Sequence, residues 1–323
     1  MKYIAVHNQS LLFSDTNIPT MTEQQCLIKV KAIGINRADI LQKLGKYPPP
    51  TGESHILGIE VAGEIVSCGQ QVQHWQVGDR VFSIVAGGGY AEYVAVNANH
   101  LIKTPANYTD SEAAACAETF LTAYQSLFFI AQLTTKHKLL VHAGASGVGS
   151  AAIQLAKAIG CYVVTTVGSN EKKANCLSLG ADVAINYQQE DFVAWSKKNL
   201  PHGFDVILDV VAGPYVNKNI DVAALDANII VLSMLGGRYS EGVDVAKMLL
   251  KRLAIQASTL RNRSDFYKAE LIKAFVEQFY TLLVNKKITP LIDRVYPWQQ
   301  VQDAHQRMES NANSGKLVLT IPE

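Results

Sequence analysis

At 323 residues, against about 150 per domain, the chain has room for two domains, each able to bury its own core. Hydrophobic residues at 48% and charged residues at 18% describe an ordinary globular protein and exclude a disordered or fibrous one. With 29 Lys+Arg against 28 Asp+Glu, the formal net charge of +1 gives no electrostatic basis for binding nucleic acid or an anionic membrane.

Residues 1–8 carry one Lys and an apolar run too short for a signal-peptide core. The most apolar long segment, 113–133, is interrupted by Glu118, Gln125 and Gln132, so no membrane span is expected. Five cysteines lie scattered at positions 26, 68, 116, 161 and 176 with no CxxC, which leaves neither a disulfide framework nor a thiolate zinc knuckle to be read. The expectation is a soluble, cytoplasmic protein in a reducing compartment.

Short β-like runs at 26–33, 61–66, 80–85 and 90–96, punctuated by glycines that include Gly87-Gly88-Gly89, predict a mainly-β unit over residues 1–122. Pro48-Pro49-Pro50 stiffens a loop within it. From about residue 123 the texture changes. Apolar runs of about five residues at 139–143, 162–167, 184–187, 206–211 and 229–233 alternate with helix-length segments, the pattern of a parallel sheet covered on both faces. The predicted fold is therefore α/β, with a doubly wound domain over 123–285. A long amphipathic helix is expected at 264–285, a shorter one at 298–309 and a last strand at 316–321, with 286–323 returning to the first domain.

The strongest chemical signal is Gly144-Ala145-Ser146-Gly147-Val148-Gly149, between the 139–143 run and a helix expected at 150–159. Read as Gly144-x-Ser146-x-x-Gly149, it is a dinucleotide fingerprint with serine in place of the middle glycine. The glycines permit a tight turn and close helix–strand packing, and the helix N-terminus offers amides and a favourable dipole to a pyrophosphate. The plain alternative is a Gly-rich turn required only for packing. At the tip of the next strand stand Gly168 and Ser169, with no carboxylate to bind a ribose 2′-hydroxyl. Glu171 falls in the first turn of the following helix. Ser169 and Lys172, or its neighbour Lys173, would instead meet a 2′-phosphate, which selects NADP(H) over NAD.

Several strings resemble the medium-chain dehydrogenase/reductase superfamily over essentially the whole chain: Gly34-Ile35-Asn36-Arg37-Ala38-Asp39, Leu57-Gly58-Ile59-Glu60-Val61-Ala62-Gly63, Val77-Gly78-Asp79-Arg80-Val81, the Gly144–Gly149 turn and Gly315-Lys316-Leu317-Val318-Leu319. Together they resemble its zinc-free quinone oxidoreductase (zeta-crystallin-like) branch. The turn and Tyr47-Pro48-Pro49-Pro50 are similar to the tumour-suppressor-inducible subgroup. The resemblance implies a GroES-like catalytic domain (1–122 and 286–323), a Rossmann NADP(H) domain (123–285), and homodimers or homotetramers formed through the Rossmann sheet edge near 225–257. Zinc members of the superfamily ligate metal with a Cys where Asn36 stands and a His where Ile59 stands. None of the eight histidines has paired helical spacing, so no metal is expected.

By the same resemblance the acceptor is a quinone or a conjugated carbonyl, bound between the domains with Asn36 and Asp39 on its floor. Asp39 has a second reading as a helix cap. Tyr47 stacks on the acceptor, donates its phenolic proton, or is a packed aromatic stiffened by the prolines. Tyr187, Ser233 and Met234 flank the cofactor, and Lys316 either reaches it or begins the last strand. Three other readings remain. An enoyl or 2-alkenal reductase uses the same scaffold. A cofactor-binding protein with a crystallin- or RNA-binding-like role needs no catalysis. A serine hydrolase would use Ser146, Asp293 and His305, but its elbow needs glycine where Val148 stands.

Overall fold

The computed structural model describes residues 1–322 and divides into two compact units, Met1–Leu121 with the chain from Leu260 onward, and Thr122–Thr259. The first unit opens with the hairpin Lys2–His7/Ser10–Asp15. Its two-residue turn places Asn8 and Gln9 at φ 47° and 64°, the left-handed pair whose twist matches antiparallel strands. The seven-stranded sheet runs in the order Ile292–Pro297, Lys316–Thr320, Gln25–Ile35, Glu60–Cys68, Arg80–Ile84, Ile102–Lys103, with Tyr93–Asn97 also pairing on Gln25–Ile35.

Along Gln25–Ile35 the side chains alternate buried and half-exposed as far as Lys31, and are then buried without a break. The strand is thus one-faced where it begins and covered on both faces where it ends. The last strand lies antiparallel to that covered end, with Leu317 opposite Ile35. This register brings Lys316, near the end of the chain, beside Asn36.

The long helix Asp265–Val284, expected in the cofactor domain, belongs to the first unit, so the return to that unit begins at residue 260 rather than 286. Its amphipathic face reads the same against any apolar partner. What places it are specific bonds: the Tyr280 hydroxyl donates to Lys103 O (2.9 Å), the Asn107 amide donates to Val284 O (3.0 Å), and Phe275 packs on Phe120 with ring centroids 6.3 Å apart.

The second unit is a six-stranded parallel sheet. In chain order its strands are Lys138–Val141, Tyr162–Val167, Val183–Asn186, Phe204–Asp209, Ala223–Val231 and Ala254–Ala257, and in space they run 3-2-1-4-5-6, the doubly wound dinucleotide-binding order. In that order ligands bind beyond the carboxyl ends of the strands where the winding reverses, here between strands one and four. The sixth strand is a sheet edge with Ala254, Gln256 and Ala257 exposed, flanked by the exposed Leu249 and Leu250. No helix among the described residues is long and apolar enough to cross a membrane.

Candidate active site

In the second unit the first strand ends at Val141 because Ala143 takes φ 53°. Ala212, just past the fourth strand, takes φ 55°. Two non-glycine residues in the left-handed region thus mark the switch point, where local strain is characteristic of ligand sites. Between them lies a buried polar chain. His142 Nε2 is 2.7 Å from Asn219 Oδ1, and Asn219 Nδ2 donates to Asp209 Oδ2 (2.9 Å). Asp209 Oδ1 accepts the amides of Val211 (2.7 Å) and Ala212 (2.9 Å), and His142 Nδ1 is 2.9 Å from the Thr166 hydroxyl. Every member can be satisfied if His142 carries its proton on Nε2 and accepts from Thr166 on Nδ1. Burial lowers the pKa of this imidazole and keeps it neutral.

The fingerprint folds as its spacing requires. Gly144 donates to Thr166 O (3.1 Å), and a Cβ on Gly144 would overlap the Thr165 hydroxyl, so only glycine lets the turn lie against the second strand. The helix begins at Gly147, three residues earlier than expected, with Ser146 as its N-cap accepting the Gly149 amide (3.0 Å). A Cβ on Gly149 would strike the Ala143 carbonyl. The amides of Gly147 and Val148, the first two of a twelve-residue helix, have no partner among the described residues and stand at the positive end of its dipole. These are donors for an anion.

At the tip of the second strand the structure gathers Gly168, Ser169, Lys172 and Tyr187. Ser169 caps the helix Asn170–Ser178, its oxygen accepting the Lys172 amide (3.1 Å) and its own proton left to donate. The Tyr187 hydroxyl packs against Gly168 so closely that a Cβ there would lie 2.5 Å from it. Ser233 and the exposed Met234 lie on the loop after the fifth strand, which runs beside the loop after the fourth through Gly236 N to Val211 O (2.7 Å).

In the first unit Asn36 ends the long strand and caps the helix Arg37–Lys43, and its side chain is engaged at both ends. Oδ1 accepts from Lys316 Nζ (2.7 Å), while Nδ2 donates to Gly34 O (3.0 Å) and reaches Glu60 Oε2 at 3.3 Å. Lys316 Nζ also bonds Glu60 Oε2 (2.6 Å) and Ile35 O (2.9 Å), so its three protons are used. Glu60 Oε1 accepts the Glu118 amide (2.8 Å). Of the two readings of Lys316, these bonds favour the one in which it begins the last strand. At 4% exposed, its ammonium is committed to a buried ion pair that ties the last strand to Asn36 and Glu60.

Asp39 has no exposed surface, which agrees with its reading as a helix cap and not with a place on a pocket floor. Its oxygens accept the amides of Asn36 (2.8 Å) and Gly58 (3.2 Å) and face the Tyr90 hydroxyl at 3.4 Å. Tyr90 in turn is 2.8 Å from His305 Nε2. If His305 donates from Nε2 and Tyr90 donates to Asp39, the atom left without a partner is only the Nδ1 lone pair of His305. This arrangement removes His305 from any hydrolytic triad with Ser146, whose oxygen is occupied in capping.

Burial pushes the Asp39 carboxyl up to about 7 against the pull of the Asn36 amide and the Lys316 charge, and burial pushes His305 down to about 3. Between about pH 4 and 7 folded Asp39 holds a proton that the unfolded chain releases, so its contribution to stability falls as pH rises through that window. His305 acts in the opposite sense, contributing stability that is lost as pH falls below its unfolded value of 6.5. Thermal melts from pH 4.5 to 7.5 should show the wild type losing stability relative to Asp39→Asn as pH rises. A parallel trend in both proteins would remove Asp39 as the cause.

Tyr47 is half-buried, and the Arg261 guanidinium sits over its ring, 5.4 Å from the centroid. Burial raises the Tyr47 phenol although Arg261 opposes it, so the phenol is neutral at pH 7 and keeps a proton to donate. Arg261 is 7% exposed, bonds Ala86 O and Gln42 Oε1 at 2.7 Å each, and leaves Nη1 without a partner among the described residues. Sequence reading passed over it, because nothing local to residue 261 signals that it lies on Tyr47.

A β unit carrying a cluster of buried polar groups, together with a doubly wound sheet bearing a Gly-rich strand-to-helix turn, defines a medium-chain oxidoreductase. Residues 22–106 match the family model for the alcohol dehydrogenase GroES-like domain, and residues 147–275 match that for zinc-binding dehydrogenases. Quinone oxidoreductase of Pongo abelii is 30% identical over 317 residues, covering 96% of this chain and 93% of that protein. The synaptic vesicle membrane protein VAT-1 homolog of Danio rerio is 30% identical over 94% of this chain, which spans 65% of that protein's length. The crystal structure of Escherichia coli quinone oxidoreductase complexed with NADPH superposes with a TM-score of 0.88 at 28% identity, over 99% of this chain and 100% of the other. The chain belongs to the quinone oxidoreductase family of the medium-chain dehydrogenase/reductase superfamily.

The zinc in one family description does not fit these residues. Where thiolate and imidazole would be needed stand an amide and an alkyl side chain, Asn36 and Ile59. The Lys316 ammonium already bonds Asn36 and Glu60, and its charge would repel a second cation. Among the described residues no group of three or more His, Cys, Asp or Glu could hold a metal ion.

Proposed function

We propose that this protein is an NADPH-dependent reductase that transfers hydride, without a metal, to a quinone. The observation that carries the reading is the Asn36–Glu60–Lys316 cluster. Alcohol oxidation requires an alkoxide, which a metal stabilises as a Lewis acid, and the positions that would ligate one are filled by a bonded ammonium, an amide and an alkyl group. That environment suits an electron-poor acceptor that takes hydride readily.

Bound nicotinamide supplies the hydride. The chain's own work is to hold the pyrophosphate on the Gly147 and Val148 amides, to fix the adenosine end with Tyr187, Ser169 and Lys172, and to orient the acceptor with Tyr47 and Arg261. The Tyr47 hydroxyl offers a donor to a developing oxyanion, and the Arg261 guanidinium over its ring adds a positive charge beside it.

Steady-state oxidation of NADPH and NADH with an ortho-quinone, a para-quinone and a conjugated enone, measured side by side, tests the proposal. Turnover with NADPH and a quinone is expected. No oxidation with either quinone would overturn the reading, and turnover confined to the enone would move the assignment to an enoyl or 2-alkenal reductase. Tyr47→Ala should lower kcat/KM for the quinone by about tenfold or more, the value of one hydrogen bond to a charged group. Unchanged turnover would reduce Tyr47 to a packing residue.

The cofactor choice rests on the absence of a carboxylate at Gly168 and Ser169 and on Lys172, the third residue of the following helix. In fluorescence titrations Lys172→Glu should weaken NADPH by about 10- to 100-fold and NADH far less, since only the former carries the 2′-phosphate. Equal losses for both would sink the assignment.

A further inference from the structure

Cys26 and Cys68 stand directly opposite each other on the antiparallel strands Gln25–Ile35 and Glu60–Cys68, with their sulfurs 3.8 Å apart. The Gly69 amide donates to Gln25 O (2.9 Å), so the two residues form a non-hydrogen-bonded pair, the kind whose Cα atoms approach to about 4.5 Å and whose side chains lie closest. That separation is inside the span a disulfide accepts, and small rotations of two side chains close the remaining gap. Cys26 is fully buried while Cys68 is partly exposed. The Cys26 thiol points its proton at Cys68, and Cys68 points its own at Trp75 O (3.7 Å).

We propose that Cys26 and Cys68 are a modification site, an oxidisable thiol pair that hydroperoxides convert to a reversible cross-strand disulfide. Cys68, the accessible partner, reacts first: its sulfur takes one oxygen from the peroxide, giving a sulfenic acid and releasing water when the oxidant is hydrogen peroxide. The Cys26 sulfur then attacks that of Cys68. The S–S bond forms as the S–O bond breaks, and the Cys26 proton leaves with the hydroxyl as a second water. Both thiols lose their hydrogens and the peroxide is reduced by two electrons. Burial holds the Cys26 thiol up at about 12, which makes the closing step slow at neutral pH and faster as pH rises.

The bond closes a loop that contains Asn36, Asp39, Tyr47 and Glu60. Oxidation would therefore restrict the unfolding of the segment carrying much of the first unit's polar cluster. The remaining thiols, Cys116, Cys161 and Cys176, are buried, and no close contact with another sulfur is found for them among the described residues.

The test treats the reduced full-length protein with graded hydrogen peroxide, blocks free thiols under denaturing conditions, and maps peptides with and without dithiothreitol. Expected are a linked Cys26–Cys68 peptide pair that dithiothreitol separates, and a melting temperature several degrees higher in the oxidised protein, with the rise absent in Cys68→Ser. Because the Cys26 site is buried, Cys26→Ala serves as the second variant, in which Cys68 should stop at the sulfenic or over-oxidised stage. Cys68 driven to sulfinic acid in the wild type while Cys26 remains alkylatable would overturn the proposal. So would disulfides to the other cysteines in place of this one.

Discussion

Lys316→Met should be among the most destabilising single changes in the first unit. It removes the ammonium from Glu60, which has no exposed surface, and leaves a buried carboxylate held only by the Glu118 amide and the Asn36 side chain. Breaking one side of such a pair costs about 3–5 kcal/mol, a large part of the roughly 5–15 kcal/mol that keeps a domain folded. Denaturant melts should show this loss, and the double variant Glu60→Gln/Lys316→Met should recover most of it because no uncompensated charge remains. If the double variant is as weak as the single one, the cost lies in lost packing and the electrostatic account fails. The same substitution separates structure from cofactor binding. If Lys316 only ties strands together, the surviving folded fraction binds NADPH with unchanged affinity.

The second large effect is expected at Gly144. Alanine there would put a methyl group into the Thr165 hydroxyl, which is itself fixed by donating to Val141 O (2.7 Å). The neighbour is a buried β-branched side chain on a packed strand and cannot swing away, so the turn must move. Displacing the turn moves the Gly147 and Val148 amides with it. Gly144→Ala should weaken dinucleotide binding at least about 100-fold, since misplacing two donors to a charged group forfeits about 3 kcal/mol or more. Titration of the folded variant, with circular dichroism to confirm the fold, decides the matter. Native-like affinity would mean that the turn relaxes without cost.

How far the sequence alone reached follows from the range of the forces involved. The interior strands of the second unit were legible because a parallel strand covered on both faces must be apolar along its length. Its edge strand Ala254–Ala257 was not legible, since exposure on the open side removes that pattern. The first hairpin was missed because its turn is Asn8-Gln9, without the glycine that usually announces two left-handed residues. The fingerprint was legible from spacing, but the left-handed Ala143 beside it was not.

In the first unit the site could be named but not interpreted. Asn36 and Asp39 carried the resemblance, yet their burial depends on strands that meet only in three dimensions. Lys316 read equally well as a cofactor ligand or a strand start until its partner 256 positions away was known. Arg261 and the Tyr90–His305 contact are likewise products of long-range packing.

The hydrogen-bonded chain from Thr166 through His142 and Asn219 to Asp209 has a physiological consequence. With the His142 proton on Nε2 it runs in one direction only, each donor pointing toward the carboxylate, and burial lowers the pKa of the fully enclosed histidine at its centre. A histidine next to a phosphate-binding turn would ordinarily make dinucleotide affinity vary with cellular acidity. Here the proton that could do so has no place to bind without breaking the chain. NADPH affinity is therefore expected to show no dependence on protonation of His142, which titrations at several pH values check.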